Sequence, residues 1–175
     1  RLTDLAGGSL LKGGLDDDSY TILADTQIVE NANEGIDAVG FSTNIGSSYT
    51  LAANFETLFL YQAVDTVMTE GYGNGSDNSL WGNRIDNVLS GEAGNDTLLG
   101  DLGSDILLGG SGDDILIGDT SNGPSDAAYT YADQLIGGAG NDTYLITDTV
   151  DTVIEAAGEG TDLVSSFLDY TLGDN

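Results

Sequence analysis

From Gly91 to Ile117 the apolar positions return with a period of nine. Three nonapeptides follow one another: Gly-Glu-Ala-Gly-Asn-Asp-Thr-Leu-Leu, Gly-Asp-Leu-Gly-Ser-Asp-Ile-Leu-Leu and Gly-Gly-Ser-Gly-Asp-Asp-Ile-Leu-Ile. Each has Gly at positions one and four, Asp at six, Leu at eight, and apolar or β-branched neighbours at seven and nine. Positions seven to nine predict a short strand, because neighbours in a strand face opposite ways and the eighth can turn inward while the seventh and ninth face out. The glycines at one and four predict tight turns with φ above zero. Turn, strand, turn and strand then close one coil of two nonapeptides, so repeats two apart stack on the same side. The expected fold is all-β, a parallel β-roll (β-helix or solenoid). Leu80, Leu89, Leu98, Leu107, Leu116, Leu135 and Tyr144 should line its narrow interior. A flexible Gly/Asp linker has no reason to keep Leu in register with Asp.

The period extends beyond these three copies. Gly73 to Trp81 carries Asn78 at six and Leu80 at eight, and Gly82 to Ser90 carries Asn87 and Leu89. Position four is Ser76 in one and Ile85 in the other. After Gly118-Asp119 the chain detours through about 120–129, which holds the single proline, Pro124. Register resumes at Asp133 and Leu135, and Gly137 to Leu145 is a complete copy with Asp142 at six. Loops accept such insertions at small entropic cost. Upstream, Gly13 to Thr21 places Asp18 at six and Tyr20 at eight, with Asp16 where Gly is expected at four. That substitution leaves its turn geometry and its metal open. Residues Arg1 to Lys12 read as a decayed copy turning at Gly7 and Gly8.

Residues Ile22 to Met68 follow another pattern. Thr26 to Glu30, Ile36 to Phe41, Tyr49 to Leu51 and Thr57 to Tyr61 predict short strands rich in β-branched and aromatic residues. Ala52 to Glu56 has the length of one helical turn. Part of this segment recurs: Val29 to Val39 aligns without a gap on Ile154 to Val164, and Tyr49-Thr50-Leu51 echoes Tyr170-Thr171-Leu172. The chain therefore divides into 1–72, a degenerate repeat with a β-rich flank; 73–145, the nonapeptide β-roll with its insertion; and 146–175, a truncated second copy of the flank. Because both ends fall inside repeat units, we expect a fragment of a longer polypeptide.

Charge changes the picture. Thirty acidic residues face Arg1, Lys12 and Arg84, for a net charge of −27 among 175 residues. No basic patch exists for nucleic acid or an anionic membrane. At 39% hydrophobic the chain is too apolar for a solvated acidic tail, so it should fold once cations neutralise it. Cys and His are absent, which excludes disulfides, zinc fingers, thiol nucleophiles and Ser-His-Asp chemistry. No apolar run is long enough to span a bilayer, and no signal peptide is visible at the start.

Strands stack at about 4.7–4.9 Å. A cation midway between stacked turns sits about 2.4 Å from each, which suits calcium at about 2.3–2.6 Å better than magnesium at about 2.0–2.1 Å. The predicted pairs are Asp96 with Asp114, Asp114 with Asp142, and Asp105 with Asp133, with weaker ones at Asn87–Asp105 and Asn78–Asp96. A central Asp would bridge two ions, one per carboxylate oxygen. Asp18 is a further candidate. Turn carbonyls should complete the shells, from Gly91, Ala93 and Gly94; Gly100, Leu102 and Gly103; Gly109, Ser111 and Gly112; and Gly137, Ala139 and Gly140. Donors that are all oxygen select calcium over transition metals. Glu30, Glu34 and Asp37, with their counterparts Glu155, Glu159 and Asp162, either close an extra site at the flank or are solvated turn residues.

The nonapeptide repeated three times from Gly91 to Ile117 resembles the calcium-binding repeat of RTX (repeat-in-toxin, hemolysin-type) domains. That resemblance implies several Ca2+ ions, export from a Gram-negative bacterium by type I secretion, and folding outside the cell in support of an upstream passenger domain of the same polypeptide. Proteases, lipases, cytolysins, epimerases and adhesins carry such repeats, and none of their catalytic residues is recognisable here. Paired carboxylates could serve a glycoside hydrolase, but most of them fall in the repeat register, so no catalysis is expected within this chain. The alternative is a glycan- or surface-binding module of an adhesin or polysaccharide-modifying enzyme. Tyr61, Tyr72, Trp81, Tyr129 and Tyr131 would then stack on sugar rings. Packing at the ends of the roll accounts for the same aromatics.

Overall fold

A computed structural model describes residues 1–4, 10–22, 26–43, 48–62, 68–119, 131–166 and 168–171. The decayed turn at Gly7 and Gly8, the insertion at about 120–129, and Tyr129 lie outside the described residues.

Among the described residues, most strands alternate between two parallel sheets, one of nine strands and one of six. The first comprises Leu2–Asp4, Ser19–Ile22, Ala38–Thr43, Thr57–Gln62, Ser79–Trp81, Thr97–Leu99, Ile115–Ile117, Thr143–Ile146 and Leu163–Ser166, in that spatial order. The second comprises Ser48–Thr50, Thr69–Tyr72, Asn87–Ala93, Ile106–Ser111, Gln134–Ala139 and Thr152–Ile154. Leu10–Lys12 pairs with Gln27–Val29 as a short third sheet. The fold is the expected β-solenoid, and its nine-stranded sheet runs without a break through all three sequence segments.

The register measures the coil. Thr97 pairs with Ile115 and Val88 with Ile106, each eighteen residues on. Across the insertion, Ile115 pairs with Thr143 and Ile106 with Gln134, each twenty-eight residues on. Both sheets absorb the same ten extra residues, so the detour leaves the stack in phase. Some flanking coils are longer, where Ser19 pairs with Ala38, Thr57 with Ser79 and Thr143 with Leu163, whereas Leu2 with Tyr20 and Gln134 with Thr152 keep the eighteen-residue step.

Inside, the seven predicted position-eight residues are all 0% exposed. Tyr20, Val39, Leu58 and Phe55 continue the column into the first flank. Full burial of each such side chain stabilises by about 1.5–3 kcal/mol, so the core is one residue wide but long. Ile115 at position seven is largely exposed, as expected, whereas Leu99 at position nine is buried.

Two expectations need correction. Ala52 to Glu56 forms no helical turn, because Asn54 adopts a left-handed φ of 68°, which ends helical geometry, and its Nδ2 donates to the Glu30 carbonyl at 3.0 Å. The two conserved-register glycines also differ in their reasons. Position four is left-handed, with φ of 117° at Gly94, 122° at Gly103, 130° at Gly112 and 144° at Gly140. Position one is not; the second left-handed residue is position two, at Glu92, Asp101, Gly110 and Gly138. Position one is glycine for space. A Cβ on Gly91 would collide with Asp96 Oδ2 and with the Gly109 carbonyl oxygen. Asp16, at position four of the upstream copy, keeps the turn by taking φ 78° itself, a conformation that Asp tolerates better than most residues.

Candidate metal centre

The turns between strands carry two rails of position-six carboxylates. On one, the Asn78 N–H donates to Asp96 Oδ1 (2.7 Å), Asp96 to Asp114 (2.7 Å), Asp114 to Asp142 (2.8 Å) and Asp142 to Asp162 (3.0 Å). On the other, Asn87 donates to Asp105 (2.7 Å), Asp105 to Asp133 (2.8 Å) and Asp133 to Asp151 (3.3 Å). Upstream, Asp18 donates to Asp37 Oδ1 and Asp37 to Glu56 Oε2, both at 2.8 Å. Asp151 and Glu56 are rungs that the repeat pattern did not disclose. Asp151 was within reach, since it lies one eighteen-residue coil beyond Asp133.

Position five builds a counter-rail on the outside, running the other way. The Asn95 N–H donates to Asp77, Asp113 to Asn95, and Asn141 to Asp113. The signal for it was the recurrence of Asp or Asn at position five. Each turn thus donates an N–H forward at position six and backward at position five.

The second oxygen of the inner carboxylates is left over. Oδ2 of Asp96, Asp105, Asp114, Asp133 and Asp142 is buried and has no hydrogen-bond partner, and each of these residues is 1% exposed. The expectation of one ion per carboxylate oxygen changes accordingly: Oδ1 is already engaged by an amide, and Oδ2 is the oxygen without a partner. Burial pushes these acids up, to about 7 for Asp96, 8 for Asp105, 6 for Asp114 and 8 for Asp133, and Asp142 moves the same way. The amide hydrogen bond on Oδ1 opposes the shift, and neighbouring carboxylates add to it. An unsatisfied buried acceptor costs about 1–3 kcal/mol, more when charged.

Turn carbonyls come close to these free oxygens. The Gly109 carbonyl oxygen and Asp96 Oδ2 both crowd Gly91, the Gly118 carbonyl and Asp105 Oδ2 crowd Gly100, and the Gly137 carbonyl and Asp114 Oδ2 crowd Gly109. At position three, the carbonyls of Ser111 and Ala139 accept the N–H of Gly94 (3.0 Å) and Gly112 (2.8 Å). A carbonyl has a second lone pair, so this leaves them available to a cation. Ala93 ends the strand Asn87–Ala93, and Leu102 lies in the bend before Asp105. Gly94, Gly103, Gly112 and Gly140 form the left-handed corners. The structure therefore gathers Asp96, Asp114 and Asp142 on one rail and Asp105 and Asp133 on the other, each beside turn glycines, and their donors are all oxygen.

Asn78 and Asn87 behave differently. Asn78 Oδ1 accepts the Asn74 N–H at 2.7 Å, and its Nδ2 donates to the Phe55 carbonyl at 3.1 Å. Asn87 Oδ1 accepts the Asn83 N–H at 2.7 Å, and its Nδ2 donates to the Thr69 carbonyl at 3.3 Å. In these two turns a side-chain amide satisfies the groups around it and leaves no orphan oxygen.

Three acids outside the predicted set share the orphan character. Both oxygens of Asp119, Oδ2 of Asp148 and Oδ2 of Asp151 are buried without a partner. Burial pushes Asp119 and Asp151 up to about 7, with Asp148 adding repulsion to each.

At the flanks the six candidate acids separate by role. Asp18, Glu30 and Asp37 bring one carboxylate oxygen each within 4.8 Å of one another, and so do Asp142, Glu155 and Asp162. Glu34 and Glu159 instead hold local turns, accepting the N–H of Asn31 at 3.1 Å and of Ala156 at 2.7 Å.

Stacked turns with inward, partnerless oxygens define a calcium-binding β-roll. Residues 72–107, 98–122 and 128–145 match the family model of the RTX calcium-binding nonapeptide repeat (4 copies). The repeat region of this chain is an RTX domain, and its cofactor is calcium. No curated protein and no solved structure matches the chain. Among the described residues no helix is long and apolar enough to cross a membrane.

Proposed function

We propose that the chain is a module that folds on binding calcium outside the cell, and so supports the secretion and stability of a longer exported protein. The observation that carries this reading is the set of five buried Oδ2 atoms on the two rails, those of Asp96, Asp114 and Asp142 and those of Asp105 and Asp133, with no protein partner. Three basic residues cannot neutralise them. Calcium would, held between same-side turns at Asp96–Asp114, Asp114–Asp142 and Asp105–Asp133. Turn carbonyls from Gly91, Ala93 and Gly94; Gly100, Leu102 and Gly103; Gly109, Ser111 and Gly112; and Gly137, Ala139 and Gly140 complete the shells. Asn78 and Asn87 mark turns where hydrogen bonds replace the ion. The boundaries near 72 and 145 then enclose the regular nonapeptide turns within one continuous coil.

Binding only the folded state, each ion stabilises by about 2.7 kcal/mol when free calcium is a hundred times Kd. Extracellular calcium modules typically have Kd of about 10⁻⁴–10⁻³ M. Inside a cell the sites would be empty and the chain unfolded. Passage through a type I channel of a Gram-negative bacterium, and an upstream passenger, follow from the RTX repeats by family resemblance. Circular dichroism during a calcium titration, with magnesium as control, tests the reading. Strand signal should rise cooperatively with calcium alone. Equal structure in a chelator would refute it.

A second reading has its own observation. Phe59, Tyr61 and Trp81 form a row of rings on the nine-stranded sheet, with Phe59–Tyr61 centroids 6.2 Å and Phe59–Trp81 centroids 5.7 Å apart. Tyr61 and Trp81 are exposed. Such a row could stack on sugar rings, as a glycan- or surface-binding module would. Tyr72, by contrast, donates its hydroxyl to Glu70 at 2.9 Å. A glycan screen of the calcium-loaded chain, repeated with Trp81→Ala, decides this.

A further inference from the structure

We infer that Asp142, Glu155 and Asp162 hold a calcium ion of their own, in a site of different build from the nonapeptide turns, which closes the downstream end of the ion row. This goes beyond the proposed function, and it shares with it only Asp142.

Register shows how the site is made. Ile136 pairs with Ile154, so Glu155 occupies the place one coil on from Gly137. Asp162 occupies the next rung after Asp142, whose N–H it accepts at 3.0 Å. The coil after Asp142 is thus an altered copy. Its position-one glycine has become Glu, and its position-six acid is kept, two residues later than the nonapeptide spacing. In the regular turns, position one offers a carbonyl oxygen toward the coil before it. Here it offers a carboxylate.

Two observations point to a cation. First, Asp142 Oδ2 and Glu155 Oε2 are buried with no partner, and Asp142 is 1% exposed. Asp142 Oδ2 faces Gly137 beside the Tyr144 hydroxyl, which donates to Glu155 Oε1, so the two carboxylates meet around that hydroxyl. Second, the three acids bring one oxygen each within 4.8 Å of one another. Oxygens sharing one calcium at about 2.3–2.6 Å can stand no more than about 5 Å apart. Three negative charges at that spacing, with no basic residue after Arg84, call for a counter-cation.

The same arrangement recurs upstream, in the segment whose sequence aligns with this one. Lys12 pairs with Val29, which brings Glu30 to the place one coil on from Gly13. Asp37 accepts the Asp18 N–H, and the Tyr20 hydroxyl donates to Glu30. Asp18, Glu30 and Asp37 converge within the same 4.8 Å. Two distant segments fold to one constellation, as expected of a recurring end-piece in a repeat array, where terminal units differ from internal ones.

The test counts ions on the folded, calcium-saturated chain by native mass spectrometry and isothermal titration. Glu155→Gln and Asp162→Asn should each lower the count by one, or weaken one ion at least tenfold, while Asp114→Asn also removes ions from the row. An unchanged count and affinity in both flank variants overturns the inference. If Asp114→Asn loses an ion in the same experiment, the reading of the roll still stands. If Asp114→Asn loses none either, that reading falls as well. Should Glu155→Gln fail to fold, Glu155→Asp keeps the charge and withdraws it by one methylene. One ion weakened tenfold then supports the site, and none weakened overturns it.

Discussion

Replacing Asp105 by Asn separates what calcium gives from what burial takes. Asp105 is 1% exposed, and burial raises its carboxyl to about 8. Its ordinary value is 3.8. Between those two values the folded, metal-free chain holds a proton that the unfolded chain releases, so its stability falls as pH rises through that window. At pH 7 the cost is about 4 kcal/mol, at about 1.4 kcal/mol for each pH unit above the ordinary value. Asp133, likewise raised to about 8 by burial, adds a cost of the same sign, set against the about 5–15 kcal/mol that hold a typical domain together. Asn removes the Asp105 cost and keeps the Oδ1 acceptor for the Asn87 N–H. Its Nδ2 comes beside the Gly118 carbonyl oxygen, as a hydrogen-bonded turn requires. Asp105→Asn should therefore make the metal-free fold more stable by about 4 kcal/mol at pH 7. The same change should make the calcium-loaded fold less stable by about 2.7 kcal/mol per ion lost, at free calcium a hundred times Kd. Urea unfolding followed by circular dichroism, in chelator with a stabilising osmolyte and again in excess calcium, reads both numbers. Equal destabilisation in both conditions would refute the reasoning, because Asp105 would then owe nothing to its charge.

Further outcomes follow from the same structure. In chelator, lowering the pH from 8 towards 4 should raise the strand signal, since Asp96, Asp105, Asp114 and Asp133 gain protons in the fold before they do in the unfolded chain; in limiting calcium the same titration should release ions, which a calcium electrode detects. Leu107→Ala opens a hole in a core one residue wide and should cost about 2–5 kcal/mol in a urea melt of the calcium-loaded chain. Gly91→Ala should weaken calcium binding, because its Cβ collides with Asp96 Oδ2 and the Gly109 carbonyl, whereas Glu92→Gly relieves a left-handed residue at φ 75° and should raise the melting temperature.

How much of this was legible in the order of residues can be judged from particular positions. Leu98, Leu107 and Leu116 share one period with Asp96, Asp105 and Asp114, so the coil, its core and the line of acids could all be read from one count. The insertion hid nothing, because Asp133 and Leu135 resume together. The reason for glycine at position one was not legible, because it arises from an oxygen on another coil. Asn78 and Asn87 looked like weaker versions of Asp, but an amide donates as well as accepts, and the surrounding carbonyls make use of that. Glu56 and Asp151 lacked the flanking glycines that announce a turn; Asp151 could still be counted one eighteen-residue coil beyond Asp133, whereas only stacking identifies Glu56 as a rung. Glu34 and Glu159 looked equal to their neighbours until local amides claimed them.

The two turns closed by Asn78 and Asn87 need nothing from solution to be complete. They therefore provide a standing template at one side of the ion-binding coils, already holding the spacing that the next coil must adopt. In a stack where each layer touches only the layers beside it, starting a first layer is harder than adding to one that exists. Winding should then begin at residues 73–90 and advance toward Asp142 as the cation becomes available. The order in which the layers form would be written into which acids were exchanged for amides.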